Sequence, residues 1–155
     1  MIRRVPKSIL PILLLAALNA PGAATQTRVD LLLDHEVAAP GQTIMAGVRL
    51  KMPEGWHSYW ENPGDSGKAT AIQWQLPGGI TAGEIQWPVP VKHESEGFFT
   101  YVFHDEVVLR VPLTIGAGAT PGPVSIRATV DWLECKELCR PGRVEVSAPR
   151  SESHV

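Results

Sequence analysis

The sequence predicts an all-β fold, an antiparallel β-sandwich of immunoglobulin-like type. Apolar and polar residues alternate along short runs, which is the pattern of strands with one face on a core. Turn signals such as APGQ, LPGG and TPGP separate these runs. After residue 24 no window shows the 3.6-residue apolar stripe of an amphipathic helix. About seven or eight short strands spaced in this way are typical of a sandwich.

The alternating runs give the predicted strands in chain order. They are Val29–Leu33, Ile44–Leu50, Ile72–Leu76, Ile85–Trp87, Val107–Ile115, Val124–Trp132 and Val144–Ser147. Pro112 interrupts one run and cannot donate to a hydrogen-bond ladder, so it predicts an edge strand or a bulge there. Pro141 and Gly142 are expected to turn the chain into the last strand.

The first 24 residues have the layout of a secretory signal peptide. Three basic residues precede an apolar run from about Ile9 to Ala20, and small residues at Gly22–Ala24 offer a cleavage site. The run is short for a membrane span of ~30 Å. We therefore expect a signal peptide at 1–24, one exported domain at 25–150 and a polar tail at 151–155. In a bacterial cell the exported domain would lie in the periplasm, where disulfides form readily.

The charge balance excludes one class of partner. Loss of residues 1–24 removes three of the 14 Lys and Arg residues and none of the 16 Asp and Glu residues, which leaves 11 basic against 16 acidic residues. A mildly acidic chain without a basic stripe does not suit nucleic acid. A domain of about 130 residues can also bury a sufficient core without cross-links.

The chain has two cysteines, Cys135 and Cys139, in the segment VDWLECKELCRPG. We place them in the connection after the strand that ends at Trp132. A single tight turn would bring their Cα atoms within the ~5.5 Å that a disulfide prefers. Closing so small a ring stabilises a fold by only about 2 kcal/mol in the chain-entropy model, against nearly 5 for a long loop. A purely structural staple would be more effective between distant strands.

A structural metal site is not expected from the sequence. Zinc sites of this kind use four ligands, commonly two closely spaced pairs, and the chain has a single cysteine pair. His57, His93 and His104 show no zinc-finger spacing, so each is expected to be exposed or hydrogen-bonded.

Redox exchange is compatible with the residues beside the cysteines. Lys136 and Arg140 each follow a cysteine, and nearby positive charge favours the thiolate that attacks a disulfide. Glu134 and Glu137 have the opposite effect. The residues alone therefore leave both a redox couple and a structural bridge open.

Three segments resemble a known family. They are DWLECKELCRPG, GWHSYWENPGDSG and IQWPVPVKHESEGFFTYVFHDEVVLRVPL. Together and in this order they are similar to the N-terminal periplasmic domain of the thiol:disulfide interchange protein DsbD, most closely to the branch with the ScsB copper-tolerance proteins. The resemblance implies an immunoglobulin-like domain that takes electrons from a membrane-embedded thiol reductase domain. It would pass them to periplasmic thioredoxin-fold proteins by disulfide exchange, without a cofactor.

The resemblance also assigns roles by position. Cys139 matches the cysteine that forms the mixed disulfide with the acceptor, and Cys135 matches the one that resolves it. The family has a cap loop that shields the pair, matched here by HESEGFFTY. The cap residues would be Glu94, Glu96, Phe98, Phe99 and Tyr101. Well-studied members differ in having a longer cysteine spacing, and full-length members continue into eight membrane spans and a thioredoxin-like domain.

Other interpretations of the same residues remain open at this point. Phe98 and Phe99 could be one core and one surface aromatic of a hairpin, and Trp56, Tyr59 and Trp60 are expected to serve packing. The alternative function is a non-enzymatic immunoglobulin-like binding or chaperone module with a structural bridge. A periplasmic copper-binding module that uses the thiols is a further alternative, because soft thiolates suit Cu(I).

Overall fold

The structure is a computed structural model that describes residues 26–35, 38–119 and 125–148. These residues form ten strands and no helix, so none of them forms a helix able to cross a membrane. The expected signal peptide at 1–24 and polar tail at 151–155 lie outside them. The strands are β1 Arg28–Leu33, β2 Thr43–Lys51, β3 His57–Gly64, β4 Ala71–Gln75, β5 Ile80–Ala82, β6 Val91–Ser95, β7 Phe98–His104, β8 Glu106–Ile115, β9 Arg127–Cys135 and β10 Cys139–Ser147.

The strands form two sheets, and every named strand pair is antiparallel. One sheet has the order β1-β2-β8-β5, and the other has the order β10-β9-β3-β7-β6, with β4 also pairing with β9. The all-β sandwich predicted from the sequence is confirmed. β3 is the strand that joins the β9–β10 hairpin to the β6–β7 hairpin within one sheet.

The core lies between the two sheets because alternate side chains of each strand face inward. On the four-stranded sheet, Val48, Leu50 and Leu109 are fully buried. On the six-stranded sheet, Val130 and Trp132 of β9 supply the opposing layer. The inner face of β9 is therefore part of the main core, and its other face is left for different contacts.

The strand predictions succeed where the alternation is strict. Six of the seven predicted runs correspond to β1, β2, β4, β8, β9 and β10. The run Ile85–Trp87 is wrong as a strand, because only an isolated bridge between Gln86 and Arg110 forms there. The sequence patterns did not predict β3, β5, β6 and β7 as strands. β5 is only three residues long, and the pairing of β3 with β7 is interrupted by a bulge after Tyr59.

Pro112 does not lie on an edge strand, which corrects one expectation. It belongs to β8, an interior strand, and is paired with Met45 of β2. Its carbonyl oxygen accepts a hydrogen bond from the Gly83 N–H at 2.8 Å, so its nitrogen also faces the side of β5. Since β5 ends at Ala82, the nitrogen of Pro112 lies beyond the β5–β8 hydrogen-bond ladder, and the lack of an N–H there costs no ladder bond.

Pro141 and Gly142 also differ from expectation, because they lie inside β10 rather than in a turn. The turn is formed by residues 136–138, between the two cysteines. Gly142 is paired with Trp132, and a Cβ at this position would lie 2.2 Å from the indole ring. The glycine therefore allows the buried Trp132 ring to pack against the backbone of β10.

Candidate redox site

The two cysteines form a disulfide at the end of the β9–β10 hairpin. Cys135 is the last residue of β9 and Cys139 the first of β10, and the two are directly paired with their Cα atoms 4.1 Å apart. The sulfur atoms are bonded at 2.03 Å. Cys135 is buried at 3% exposure, whereas Cys139 is exposed. A partner thiol or disulfide in solution therefore meets Cys139 first.

Tyr59 of β3 covers the buried sulfur. Its hydroxyl donates a hydrogen bond to Cys135 Sγ at 3.1 Å and lies 4.0 Å from Cys139 Sγ. Tyr59, Val102 and Cys135 form a small buried cluster, with Leu133 against it, on the face of the sheet opposite the core. Burial raises the pKa of Tyr59, which keeps the hydroxyl protonated as a donor.

A segment after β3 packs on the Tyr59 ring and encloses this cluster. Gly67 has a φ of 108°, and a Cβ there would lie 2.2 Å from Tyr59 Cε1. Ala69 forms a parallel bridge with Tyr59. Asp65 ties the segment to β7, because its N–H donates to the Phe99 carbonyl at 2.9 Å and its carboxylate accepts from the Phe99 N–H at 2.7 Å. The segment from Asp65 to Ala69 thus covers the redox site.

Three histidines cluster next to Tyr59. The ring centroids of His57, His93 and His104 lie 5.8, 5.8 and 6.2 Å apart, and His57 is paired with Cys135 across β3 and β9. His57 Nε2 lies 3.3 Å from the Tyr59 hydroxyl. Burial, followed by the neighbouring imidazoles of His104 and His93, lowers the pKa of His57 to about 4. His57 is therefore neutral at pH 7, and its ring can donate to the Tyr59 oxygen.

Glu134 points away from the disulfide, although it precedes Cys135 in the sequence. Its side chain is fully buried on the core face of β9. One carboxyl oxygen accepts from the Gln26 N–H at 3.1 Å, and the other accepts from the Thr27 N–H at 3.2 Å and from Trp132 Nε1 at 3.1 Å. The carboxyl group thus holds the backbone of Gln26 and Thr27 in place and does not face the sulfur atoms.

The other charged residues around the cysteines lie at the surface. Lys136 and Glu137 are exposed in the turn. Arg140, next to Cys139, is half-buried, and its guanidinium carbon lies 4.9 Å from the Trp56 ring centroid. Arg140 is paired with Glu134, so its side chain leaves β10 on the face opposite to that of Cys139, where it makes this cation–π contact.

The cap residues proposed from the resemblance lie on the β6–β7 hairpin. Glu94 and Glu96 are exposed, and Glu96 forms the turn with Gly97, both at positive φ. Phe98 and Phe99 are 58% and 37% exposed, so the interpretation of one core and one surface aromatic is wrong. Lys92 Nζ lies 3.9 Å from the Phe99 ring centroid. Tyr101 is half-buried, and its ring packs edge-on to Trp60.

The register of β7 separates the cap residues between the two faces of the sheet. Phe98 alternates in phase with Val102, which belongs to the cluster around Cys135. Phe99 alternates in phase with Phe103, which belongs to the main core. Phe98, the first residue of β7 after the hairpin turn, lies six positions from His104, which stands at the level of Cys135. The register thus places Phe98, but not Phe99, on the face of the disulfide.

His57 and Tyr59 are site residues that the sequence patterns assigned to other roles. One feature of the sequence could have indicated that they act together: their two-residue spacing in GWHSYW places both side chains on one face of a strand. The sequence cannot show that this strand pairs with the one that ends in Cys135. Within the described residues, no group of three or more His, Cys, Asp or Glu side chains is arranged so that it could hold a metal ion.

Comparison with known proteins gives one family and one fold. Residues 28–151 match the family model of the N-terminal region of thiol:disulfide interchange protein DsbD. The N-terminal periplasmic domain of ScsB from Proteus mirabilis is 18% identical with a TM-score of 0.57, and the match covers 81% of this chain and 45% of that one. The reduced N-terminal domain of Neisseria meningitidis DsbD is 18% identical with a TM-score of 0.48, covering 77% and 82%. No curated protein matches the sequence.

Proposed function

The chain belongs to the family of the N-terminal domain of DsbD, and from this premise we propose that it is a thiol:disulfide exchange domain. One observation carries the proposal: the disulfide joins an exposed sulfur, that of Cys139, to a buried one, that of Cys135. Exchange needs one sulfur that a partner can reach and one that is protected until the second step. A bridge with only a structural role needs no such difference.

The exchange proceeds in two displacements. In the reduced domain the Cys139 thiolate attacks a disulfide of the acceptor, forms a mixed disulfide and releases one acceptor thiolate. The Cys135 thiolate then attacks the Cys139 sulfur, closes the internal disulfide and releases the second acceptor thiolate. Two electrons pass to the acceptor, and the two thiolates take up protons from solvent. Tyr59, which donates to Cys135 Sγ, stabilises the charge on that sulfur in the reduced domain.

The direction of transfer and the partners are part of the proposal. A membrane-embedded thiol reductase domain would reduce the pair, and periplasmic thioredoxin-fold proteins would oxidise it. The family supports this order, and so does the exposure of Cys139, which both partners could reach in turn. Export to the periplasm is proposed with it, because the pair must alternate between states outside the reducing cytosol.

The test compares two single-cysteine variants, Cys135→Ser and Cys139→Ser, against one activated acceptor. The acceptor is a thioredoxin-fold protein that keeps only its exposed active-site cysteine, linked to thionitrobenzoate. We expect Cys135→Ser to release thionitrobenzoate and form a stable mixed disulfide. Cys139→Ser should react at least about tenfold more slowly, because its remaining sulfur is buried.

Two results would contradict the proposal. One is an equal rate for the two variants, which would mean that the difference in exposure has no role in exchange. The other is a wild-type pair that stays oxidised below about −300 mV against glutathione or dithiothreitol, as structural disulfides do. In that case the binding-module alternative gains support, provided that a Cys135→Ser/Cys139→Ser variant still binds the acceptor.

We also propose that the β6–β7 hairpin acts as the shield of the pair, with Phe98 as its main contact residue. Phe98 supports this because it lies on the same face as Cys135 and is 58% exposed. Since it stands six positions along β7 from the Cys135 level, its ring reaches the pair only when the hairpin bends over Tyr59. Glu94, Glu96, Phe99 and Tyr101 would then set the shape of the hairpin. Asp65, which is bonded to Phe99, would couple the hairpin to the segment over Tyr59.

A further inference from the structure

The cluster of His57, His93 and His104 has no role in the exchange steps. Its three rings come from three neighbouring strands, β3, β6 and β7, and are mutually 5.8 to 6.2 Å apart. In the described part of the chain, no carboxylate forms an ion pair with any of the three. The only hydrogen bond there that involves their rings joins His57 to Tyr59. Three imidazoles without an acidic partner leave ring nitrogens available to a ligand.

We propose that these three histidines form a binding site for a divalent late transition metal ion of the zinc class. In a tetrahedral site with three histidines, metal–nitrogen bonds of ~2.1 Å place the ring centroids roughly 5 Å apart. The observed separations of 5.8 to 6.2 Å exceed this value by about 0.8 to 1.2 Å. As these side chains are placed in the described part of the chain, they do not form a metal site, so binding requires the rings to turn.

The positions of the rings allow this movement. His104 is exposed and His93 is half-exposed, so both rings can change χ1 and χ2 without displacing the core. His57 is held more firmly, because it contacts Tyr59 edge-on with ring centroids 5.3 Å apart. We therefore expect His57 to be the fixed ligand, and His93 and His104 to close on the ion from β6 and β7.

The donor set defines the class of metal. Imidazole nitrogen suits zinc, copper and nickel, whereas calcium and magnesium require oxygen ligands that this cluster lacks. Three protein ligands leave a fourth position for water or another ligand. His57 is paired with Cys135 and contacts Tyr59, so an ion bound here would lie beside the redox pair.

The experiment titrates Zn²⁺ into the full exported chain with its disulfide intact, followed by calorimetry. The oxidised form is used because it has no thiol to bind the ion. We expect one Zn²⁺ per chain, with affinity at least tenfold weaker in His93→Ala and in His104→Ala. The control is the double variant His35→Ala/His154→Ala, which removes the two other histidines of the sequence. It should bind as the wild type does.

Thermal unfolding with and without Zn²⁺ provides a second measurement on the same proteins. Bound ion should raise the midpoint of the wild type and of the control, and should raise it less in His104→Ala, whose exposed side chain is not needed for folding. The proposal is overturned if the wild type binds no Zn²⁺ at 100 µM, or if the control loses binding as fully as His104→Ala. Neither result depends on exchange activity, so the proposed redox function is tested separately.

Discussion

The two faces of β9 near its end serve different purposes, although their residues alternate along one strand. On the inner face, Trp132 and Glu134 are buried in the core, and Glu134 accepts three N–H groups. On the outer face, Leu133 and Cys135 pack with Tyr59 in a small separate cluster. The inner contacts fix the fold, and the outer contacts determine how the disulfide can react.

Because of this difference, we expect that stability and redox chemistry can be changed separately in this domain. Adjacent residues of a strand point to opposite faces, so Glu134 and Cys135 share a peptide bond but no side-chain environment. A substitution on the inner face should change the free energy of unfolding and leave exchange intact. A substitution on the outer face should change exchange, and it should lower stability only where it also crowds a side chain or strains the backbone. Four variants test this separation, from the largest expected effect on stability to the smallest.

Glu134→Ala should cause the largest loss of stability. It leaves the Trp132 indole N–H and two backbone N–H groups without their acceptor in a buried position, which we expect to lower the free energy of unfolding by about 4 kcal/mol. Urea denaturation followed by tryptophan fluorescence measures this change. The thionitrobenzoate rate at Cys139, measured well below the unfolding midpoint, should stay within about twofold of the wild type.

Glu137→Ala is the matched control, since Glu137 is exposed in the turn between the same two cysteines. It should change the free energy of unfolding by less than about 0.5 kcal/mol. If Glu137→Ala proves as destabilising as Glu134→Ala, the inner face of β9 does not have the special role assigned to it.

Gly67→Ala should have an intermediate effect on stability and also affect the redox site. The added Cβ would meet the Tyr59 ring at 2.2 Å, and the φ of 108° is unfavourable for alanine, so we expect a loss of roughly 3 kcal/mol. Displacement of the ring should also make Cys135 easier to reach, which dithiothreitol reduction kinetics would show as a faster rate.

Gly41→Ala separates backbone strain from the steric clash. Gly41 has a similar φ of 86°, but a Cβ there meets no atom within 4 Å, so only about 1 kcal/mol should be lost. Its reduction rate should equal that of the wild type. An equally fast reduction of both glycine variants would show that global loosening, and not the cover over Tyr59, controls access.

Tyr59→Phe should change chemistry more than stability. The ring stays, but the hydrogen bond to Cys135 Sγ is lost, at a cost of about 1 kcal/mol or less to the fold. A thiol that attacks Cys139 expels Cys135 as the leaving thiolate, so removal of the donor should slow reduction by about fivefold, the equivalent of roughly 1 kcal/mol. The pKa of the Cys135 thiol, followed by alkylation of the reduced Cys139→Ser variant against pH, should rise.

Tyr101→Phe is the control for Tyr59→Phe, since these are the two tyrosines of the chain and Tyr101 packs against Trp60 instead. Its reduction rate and thiol pKa should match the wild type. Equal slowing in the two variants would mean that the hydroxyl of Tyr59 has no direct effect on Cys135.

Phe98→Ala should have the smallest effect on stability, within about 0.5 kcal/mol, because the ring is mostly exposed. If Phe98 shields the pair, oxidation of the reduced domain by glutathione disulfide should become several-fold faster. Phe99→Ala, on the other face of the hairpin, should leave that rate unchanged. A rate that is equal in Phe98→Ala and in the wild type would remove the hairpin from the protective role.

The sequence predicted the strands that line the core, including β9 and β10 with the two cysteines, and missed the strands that carry Tyr59 and the three clustered histidines. β2 and β8 alternate strictly over nine and ten residues, and both were predicted. β3 carries His57 and Tyr59 and β7 carries His104, yet their patterns mix aromatic, polar and turn-forming residues on both faces. Such strands have two functional faces, one toward the core and one toward the disulfide, so a simple alternation between apolar and polar does not describe them.

The sandwich could be predicted from the sequence, because burial of every second side chain leaves an apolar period of two along each core strand. The sequence also identified Cys135 and Cys139, since the chain has no other cysteines. Three facts became visible only in the folded chain. The sulfur of Cys139 is exposed, the Tyr59 hydroxyl contacts the sulfur of Cys135, and His57, His93 and His104 lie together. Those facts depend on β3 lying between the β9–β10 and β6–β7 hairpins. Pairing between distant strands sets them, and local sequence carries no record of which strands will be neighbours.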